Sequence, residues 1–367
     1  MRKLRVLVVD DSAVIRRMVR DVIAADPELE VAGVAANGRI AVSMVEQCVP
    51  DVVTMDIEMP EMDGLAALKE IRRSHPGLRV IMFSNLAERA AIATLDALAA
   101  GAHDYVTKPS KAQNAGEGSE RIRAQLIPKI KALCRRLQVD RSAELAIPLL
   151  SRSRISPQGS RVDIVAIGTS TGGPNALGEI LPCIPSDFPV PIVVVQHMPP
   201  IFTAFLAERL AAASQISVKE ALPQAELVPG EAWVAPGDFH MTVQRDGTHM
   251  RLGVNQQPPE NSCRPSVDVL FRSVAEAYGS RCLAVVLTGM GHDGLRGCER
   301  IHEAGGQIVV QDEPSSVVWG MPGAVASAGL ADRILPLREI AGEVIHKASI
   351  NRSVEDSVAA QLHGQVV

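Results

Sequence analysis

The sequence predicts an α/β protein built as two parallel-sheet domains, and three observations carry that reading. Short apolar runs alternate with helix-spaced segments from one end of the chain to the other. The residues with the most chemistry fall immediately after the apolar runs. At 367 residues the chain also exceeds what a single core of ordinary size organises, so roughly two domains are expected. Strands separated by helices imply right-handed βαβ units and parallel pairing, with ligands gathering at the carboxyl ends of the strands.

The first domain reads in order. Leu4 to Val9 is an apolar strand ending at Asp10-Asp11. Ser12 can cap a helix whose apolar positions Val14, Ile15, Met18, Val19, Val22 and Ile23 share one face. Val31 to Ala35 is the next strand, followed by a helix near Ile40 to Gln47, and Asp51 to Met55 is a strand ending at Asp56. Leu65–Arg73 (helix), Val80–Phe83 (strand), Ala90–Ala99 (helix) and His103–Val106 (strand) complete the pattern.

Asp10, Asp11 and Asp56 each close or follow a strand, so their carboxylates should converge. Like charges that close destabilise one another, and a divalent cation with oxygen ligands, such as Mg²⁺, relieves them. Ser84 follows the fourth strand and Lys108 the fifth. A hydroxyl and an ammonium beside a metal-held carboxylate are the groups needed to neutralise a transferred phosphoryl. A capping aspartate pair explains Asp10-Asp11 but not all five positions at strand ends.

Val8-Val9-Asp10-Asp11-Ser12, Thr54-Met55-Asp56-Ile57-x-Met59-Pro60-x-Met62-Asp63-Gly64 and Asp104-Tyr105-Val106-x-Lys108-Pro109 resemble a two-component receiver domain. The resemblance implies a flavodoxin-like sheet of five parallel strands, phosphorylation of Asp56 by a histidine kinase, and Mg²⁺ held by Asp10, Asp11 and Asp56. It also implies that Ser84 senses the phosphoryl group, that Lys108 pairs with it, that Tyr105 is a rotating reporter, and that the Lys108–Pro109 bond is cis.

Residues 110 to 119 are polar and contain glycine, a loop signal, whereas Ile122, Leu126, Ile130 and Leu133 carry helical spacing within Glu120 to Leu137. From residue 138 to 160 the periodicity is weak, with Pro148 and Pro157 among serines and arginines, which reads as a connection. The apolar patch Leu145 to Leu150 within it is expected to dock on a domain. The expected organisation is a first domain over 1–137, a linker over 138–160, a second domain over 161–347 and a polar tail over 348–367.

The second domain opens on Val162 to Ile167, a buried strand, followed by Gly168-Thr169-Ser170-Thr171-Gly172-Gly173-Pro174. Pro174 suits a helix start, where its missing N–H has no partner to lose. Gly168-x-Ser170-x-Gly172 has the spacing of a nucleophile elbow, although a glycine-rich turn after a strand can equally cradle a phosphate. Pro191 to Gln196 is a strand ending at His197, and Ile201 to Leu210 is a helix. Trp233–Ala235, Met241–Val243 and Met250–Val254 are shorter strands, the last two around Asp246-Gly247, a two-residue hairpin signal. A helix over Val267 to Tyr278 precedes the strand Cys282 to Leu287, which ends in Thr288-Gly289-Met290-Gly291-His292-Asp293-Gly294. Trp319-Gly320-Met321-Pro322-Gly323 marks a later turn.

Ser170, His197 and Asp293 each lie just beyond a strand, so a parallel sheet brings a nucleophile, a base and an orienting carboxylate to one edge. The chain order Ser, His, Asp differs from the α/β-hydrolase order, which points to the same chemistry on another fold. His292 is the rival base, but as Asp293's chain neighbour it points elsewhere. Backbone N–H groups near Thr171 or Met290 are candidates for an oxyanion hole.

The elbow, Gln196-His197-Met198-Pro199-Pro200, Ser262-x-Arg264-Pro265-Ser266-Val267-Asp268, Thr288-Gly289-Met290-Gly291-x-Asp293-Gly294 and Trp319-Gly320-Met321-Pro322 are together similar to the catalytic domain of the chemotaxis protein-glutamate methylesterases. The resemblance implies hydrolysis of glutamate γ-methyl esters on methyl-accepting chemoreceptors with release of methanol, deamidation of receptor glutamines, and no cofactor for the ester step. It implies a chemotaxis histidine kinase as phosphodonor, and the domain order predicts a receiver that, unphosphorylated, covers the Ser170 edge. Arg264 is a candidate for contacting the acidic receptor helix or, alternatively, an ordinary ion pair. Asn85, where a second small hydroxyl residue is expected, and His292 depart from the family pattern.

Composition sets the remaining bounds. A net charge of -5 gives no sign of a nucleic-acid surface. The basic start gives way to Asp10-Asp11 too soon for a signal peptide, and no apolar stretch approaches the ~18 residues of a membrane span, so a cytoplasmic protein without membrane insertion is expected. The six cysteines (Cys48, Cys134, Cys183, Cys263, Cys282 and Cys298) show no paired or metal-ligand spacing, and are expected to be reduced thiols without a metal.

Overall fold

A computed structural model describes residues 2–109, 115–139 and 161–350. The chain divides into two compact units, Met1–Pro148 and Leu149–Val367.

In the first unit the elements alternate strictly: β1 (Leu4–Val9), α1 (Ala13–Ala24), β2 (Leu29–Ala35), α2 (Gly38–Cys48), β3 (Val52–Asp56), α3 (Gly64–Ser74), β4 (Arg79–Ser84), α4 (Glu88–Ala99), β5 (Asp104–Thr107) and α5 (Ala115–Val139). The five strands are all parallel in the order β2-β1-β3-β4-β5. Central strands read as unbroken apolar runs because helices cover both faces, and β3 is buried along its whole length. Helix starts are fixed by short polar side chains that accept an otherwise unpaired N–H: Ser12 from Ile15, Asn37 from Ile40 and Asp63 from Ala66. Strand order reverses between β1 and β3, so the crevice of the sheet opens between Asp10 and Asp56.

The second unit contains β6 (Ile164–Thr169), α6 (Gly173–Ile180), β7 (Ile192–Gln196), α7 (Phe202–Ala213), β8 (Ser217–Glu220), β9 (Glu231–Val234), β10 (His240–Asp246), β11 (His249–Asn255), α8 (Val267–Tyr278), β12 (Cys282–Val286), α9 (Leu295–Glu303), β13 (Gln307–Gln311), α10 (Met321–Ser327), β14 (Arg333–Leu335) and α11 (Leu337–Ser349). Seven strands form a parallel sheet in the order β14-β13-β12-β6-β7-β9-β8, with β6 at its centre. The chain leaves β6 toward β7 on one side and returns to β12 on the other, so the second crevice opens at the end of β6. Ile164, Ala166, Val193, Val195, Val267, Leu270, Phe271 and Val286 lie in the core that holds this centre, under α8.

Several boundaries differ from the sequence reading. Helix α5 begins at Ala115, inside the stretch expected to be a loop through Ser119, with Pro128 carried in its interior. The linker expected over 138–160 lies almost wholly outside the described residues, with the Leu145 to Leu150 patch and all but the start of the 348–367 tail. The hairpin β10–β11 pairs Asp246 with His249, so its two-residue turn is Gly247-Thr248, one position later than expected. Gly247 takes φ +60, the left-handed value that the first position of such a turn requires. Strands β8, β13 and β14 carry no separate signal in the sequence reading: β8 and β14 are four and three residues long and lie at the edges. No helix among the described residues is long and apolar enough to cross a membrane.

Candidate functional site

The first crevice gathers the expected acidic residues. Asp10 and Asp56 are both nearly fully buried, and with Asp11 they offer oxygens within 4.8 Å of one another. Lys108 reaches in from beyond β5, its Nζ lying 2.8 Å from Asp10 Oδ2 and 2.7 Å from Asp56 Oδ2. Burial, then the neighbouring Asp10 charge, push the Asp56 carboxyl up to about 6 against the pull of Lys108. Asp10 is raised mainly by burial, and its Oδ2 has no hydrogen bond of good geometry despite the adjacent ammonium. An all-oxygen, carboxylate-rich cluster with a buried oxygen so placed fits a hard divalent cation such as Mg²⁺.

Two expectations about the rest of this crevice are corrected or refined. The Lys108–Pro109 bond is trans, the isomer that X–Pro bonds favour by default, and Lys108 spans both carboxylates from it. The Ser84 hydroxyl is turned into helix α4, receiving a 2.7 Å hydrogen bond from Thr94 Oγ1 and facing the carbonyls of Asn85 and Ala90. Tyr105 is buried, with Lys129 Nζ 5.2 Å from its ring centroid.

The second crevice is built on a tight turn after β6. Gly173 N donates to Ser170 O at 2.9 Å, and Gly172 between them has φ +81 and ψ −5, the geometry a type II turn demands at its third residue. A side chain there would also press on Val317 at 2.7 Å, so only glycine fits. Neighbouring strand ends fix the turn from both sides. Ser170 N donates to Thr288 O, Gln196 Nε2 donates to Ser170 O, and His197 N donates to Thr169 O. Thr288 Oγ1 in turn donates to Thr171 O at 2.9 Å. The register Gly168 to Val286 and Thr169 to Gln196 sets these contacts, so Ser170, His197 and the segment leading to Asp293 share one edge.

His197 and Asp293 are joined directly: the ring Nε2 lies 2.8 Å from Asp293 Oδ2. An ionised carboxylate only accepts, so Nε2 carries a proton, and in the neutral ring the lone pair sits on Nδ1. Burial opposes charging the imidazole, but hydrogen bonds and charges of Asp293 and Cys263 overcome it and raise His197 to about 10. The same contacts hold Asp293 well below the usual carboxylate range although burial opposes this. Ser170 Oγ makes no hydrogen bond to His197, whose ring bonds to Asp293 on one side and faces Cys263 Sγ on the other.

Asp293 is further held by Ser266, Val267 and Asp268 of the motif that carries the family resemblance, and by Asn261, which the sequence reading did not single out. Its Oδ1 accepts from Ser266 Oγ at 2.8 Å, Asn261 Nδ2 at 2.9 Å and Asp268 N at 3.1 Å, and its Oδ2 accepts from Val267 N at 2.7 Å. Asp293 thus caps α8 from another segment, with Ser266, the capping residue by position, donating to it. The signal available was Ser-x-Asp at the start of a predicted helix; what it capped was not readable from local sequence. Cys263 is the other missed neighbour, its Sγ 3.7 Å from His197 Nδ1.

The remaining candidates are placed as follows. Arg264 directs Nε and Nη2 to Asp238 Oδ1, at 3.0 and 2.6 Å, and Nη1 to the carbonyls of Gln256 and Gln257, so its donors face its own domain. The Arg264–Pro265 bond is cis. His292 is exposed whereas Asp293 beside it is buried, and Met290 and Thr171 adjoin Gly289 and Gly172 in the chain. Gly289 O accepts from Gly320 N and Met321 N, which ties the Trp319 turn to the same edge.

The CheB methylesterase family model matches residues 165–344, and the response regulator receiver domain model matches residues 6–116. The chain is 51% identical over 351 residues to a protein-glutamate methylesterase/protein-glutamine glutaminase of Trichodesmium erythraeum (strain IMS101), covering 95% of this chain and 99% of that one. A protein of the same name from Nocardioides sp. (strain JS614) is 49% identical, with 95% and 96% covered. The crystal structure of the Thermotoga maritima CheB methylesterase catalytic domain is 43% identical with a TM-score of 0.50, covering 50% of this chain and 98% of that chain. The chain therefore belongs to the protein-glutamate methylesterase/protein-glutamine glutaminase family, with a receiver domain preceding its CheB methylesterase domain.

Proposed function

We propose that the chain is a phosphorylation-regulated esterase that demethylates glutamate γ-methyl esters on methyl-accepting chemoreceptors, and that it deamidates receptor glutamines by the same route. The observation that supports this reading most is the buried Nε2–Asp293 hydrogen bond of His197 at the strand end beside Ser170. It fixes the imidazole with its lone pair on Nδ1, so Nδ1 is the atom that takes the Ser170 proton. Ser170 Oγ attacks the ester carbonyl, and Asp293 stabilises the imidazolium formed. His197 returns the proton to the departing methoxide, and methanol leaves. Water, activated by the same nitrogen, then hydrolyses the acyl-serine to free glutamate. With a glutamine side chain the leaving group is ammonia.

The backbone N–H groups around Thr171 and Met290 are the candidates for stabilising the tetrahedral oxyanion, each such donor being worth about 3 kcal/mol. Arg264, committed to Asp238 and two carbonyls, serves here to hold the loop that carries Asn261 and Cys263.

In the first unit Asp56 is the phosphoryl acceptor, with a histidine kinase as donor. Asp10, Asp11 and Asp56 would hold Mg²⁺, which supplies charge neutralisation for the transferred group. Lys108 contributes a second positive charge. Ser84, hydrogen-bonded into α4, links the crevice to that helix, and Tyr105 lies on the neighbouring strand. The test is methanol release from methylated receptor membranes with and without acetyl phosphate and Mg²⁺. Release that rises with the phosphodonor supports the esterase and its switch; no release in either condition contradicts the reading.

A further inference from the structure

We infer that His197 and Cys263 form a binding site for a borderline-soft divalent cation of the Zn²⁺ class, and that an ion there switches the esterase off. The inference rests on the reading of His197 Nδ1 as the base.

Asp293 binds Nε2–H and leaves Nδ1 facing Cys263 Sγ, 3.7 Å away. A tetrahedral zinc with Zn–N of about 2.0–2.1 Å and Zn–S of about 2.3 Å holds its nitrogen and sulfur about 3.6 Å apart. The two donors therefore already stand at the separation that the ion imposes. The carboxylate behind the ring completes the pattern. Histidines that bind metals typically donate their other N–H to a carboxylate, which fixes the ring and raises its basicity. Asp293 is suited to that supporting position rather than to ligation, because both its oxygens are occupied: Oδ2 by His197 and Val267 N, Oδ1 by Ser266, Asn261 and Asp268 N.

The donor types select the ion. An imidazole nitrogen and a thiolate favour Zn²⁺ and its relatives over Mg²⁺ or Ca²⁺, which take oxygen ligands. Both residues are only partly buried, so the ion can enter, and water fills the remaining positions. Binding forms a Zn–S and a Zn–N bond, and the thiol proton and the Nδ1 proton of the charged ring are both released to solvent. The Nδ1 lone pair is then no longer able to take the Ser170 proton, and hydrolysis stops. Sequence spacing gives no hint of the pair, because the two residues are 66 positions apart.

The test uses the full chain. Co²⁺ titration should produce a near-ultraviolet sulfur-to-cobalt charge-transfer band in the wild type, and Cys263→Ser should lack it. Co²⁺ at the oxygen-only Asp10–Asp56 cluster gives no such band, so the two sites are distinguished. Zn²⁺ at low micromolar concentration should reduce methanol release at least about tenfold, reversibly with a chelator, and Cys263→Ser should raise the Zn²⁺ concentration needed by about tenfold or more. A wild type without the band, a band that persists in Cys263→Ser, or Zn²⁺ inhibition indifferent to that substitution would each overturn the inference. The reading beneath it fails separately, through methanol release by Ser170→Ala in the absence of added metal.

Discussion

Asp268 and Asp293 cap each other's helices. Asp293 accepts the N–H groups of Val267 and Asp268 at the start of α8, and Asp268 Oδ1 accepts Gly297 N at 2.6 Å at the start of α9. Asn261 Nδ2 bridges the two carboxylates, 2.8 Å from Asp268 Oδ2 and 2.9 Å from Asp293 Oδ1. Two buried anions are tolerated this close because each faces the positive end of a helix and shares a donor amide. The exchange locks the β12–α9 loop to α8, which fixes where Asp293 meets His197. Asp268 is accordingly raised by burial, and further by the Asp293 charge.

From this exchange, Asp268→Ala should destabilise the second unit by about 1–3 kcal/mol, since it leaves Gly297 N buried without a partner. It should also lower kcat more than it raises KM, through a loosened Asp293. Asp268→Asn keeps an acceptor for Gly297 and should retain most of both. Urea unfolding and steady-state kinetics on the three proteins check the ordering, and equal kinetics for Ala and wild type would contradict the positioning role.

The pH dependence has a definite sign. As the proposed base, His197 can act only when neutral, and its partners raise its pKa to about 10 from the ordinary value of 6.5. Activity should therefore climb as pH rises through the range above 6.5, with an apparent pKa displaced toward alkaline values. Asp293→Asn removes one of the two partners responsible, and should move that limb back toward lower pH while reducing kcat by about 10²–10⁴. A kcat/KM profile with its limb unmoved in Asp293→Asn would contradict this.

How much of this was legible beforehand depended on the range of each interaction. Asp10, Asp56, Lys108, Ser170, His197 and Asp293 all end or follow strands, and once the sheets are parallel that alone sends each set to one edge. The trans-cap of Asp293, the turning of Ser84 into α4 and the approach of Cys263 to His197 depend on packing between distant segments. Those contacts leave no period or spacing in the chain. The short edge strands β8 and β14 were lost for a related reason, since three or four residues at a sheet edge carry too few buried positions for a pattern.

Asp56 is a destabilised carboxylate in the metal-free protein. Its folded pKa of about 6 exceeds the ordinary 3.8, so the stability it contributes is fully present below 3.8 and is lost as pH rises through 6. Asp56→Asn should thus stabilise the first unit by on the order of 1–3 kcal/mol at pH 7–8 without Mg²⁺, while abolishing the response to acetyl phosphate. Thermal unfolding across that pH range checks the sign. A less stable Asn variant would refute it.

Gly172→Ala should be costly for a backbone reason. At φ +81 a β-carbon is strained, by about 1–2 kcal/mol, and the added methyl also meets Val317 at 2.7 Å. The turn should shift and carry Ser170 with it, so activity should fall further than stability. A variant with wild-type kcat would show that the turn does not set the serine's position.

The most direct test of the account is methanol release from methylated receptor membranes by Ser170→Ala, beside wild type and under saturating acetyl phosphate and Mg²⁺. The account predicts a loss on the order of 10³-fold or more, with the fold intact by circular dichroism. Release within a few-fold of wild type would contradict the serine as nucleophile.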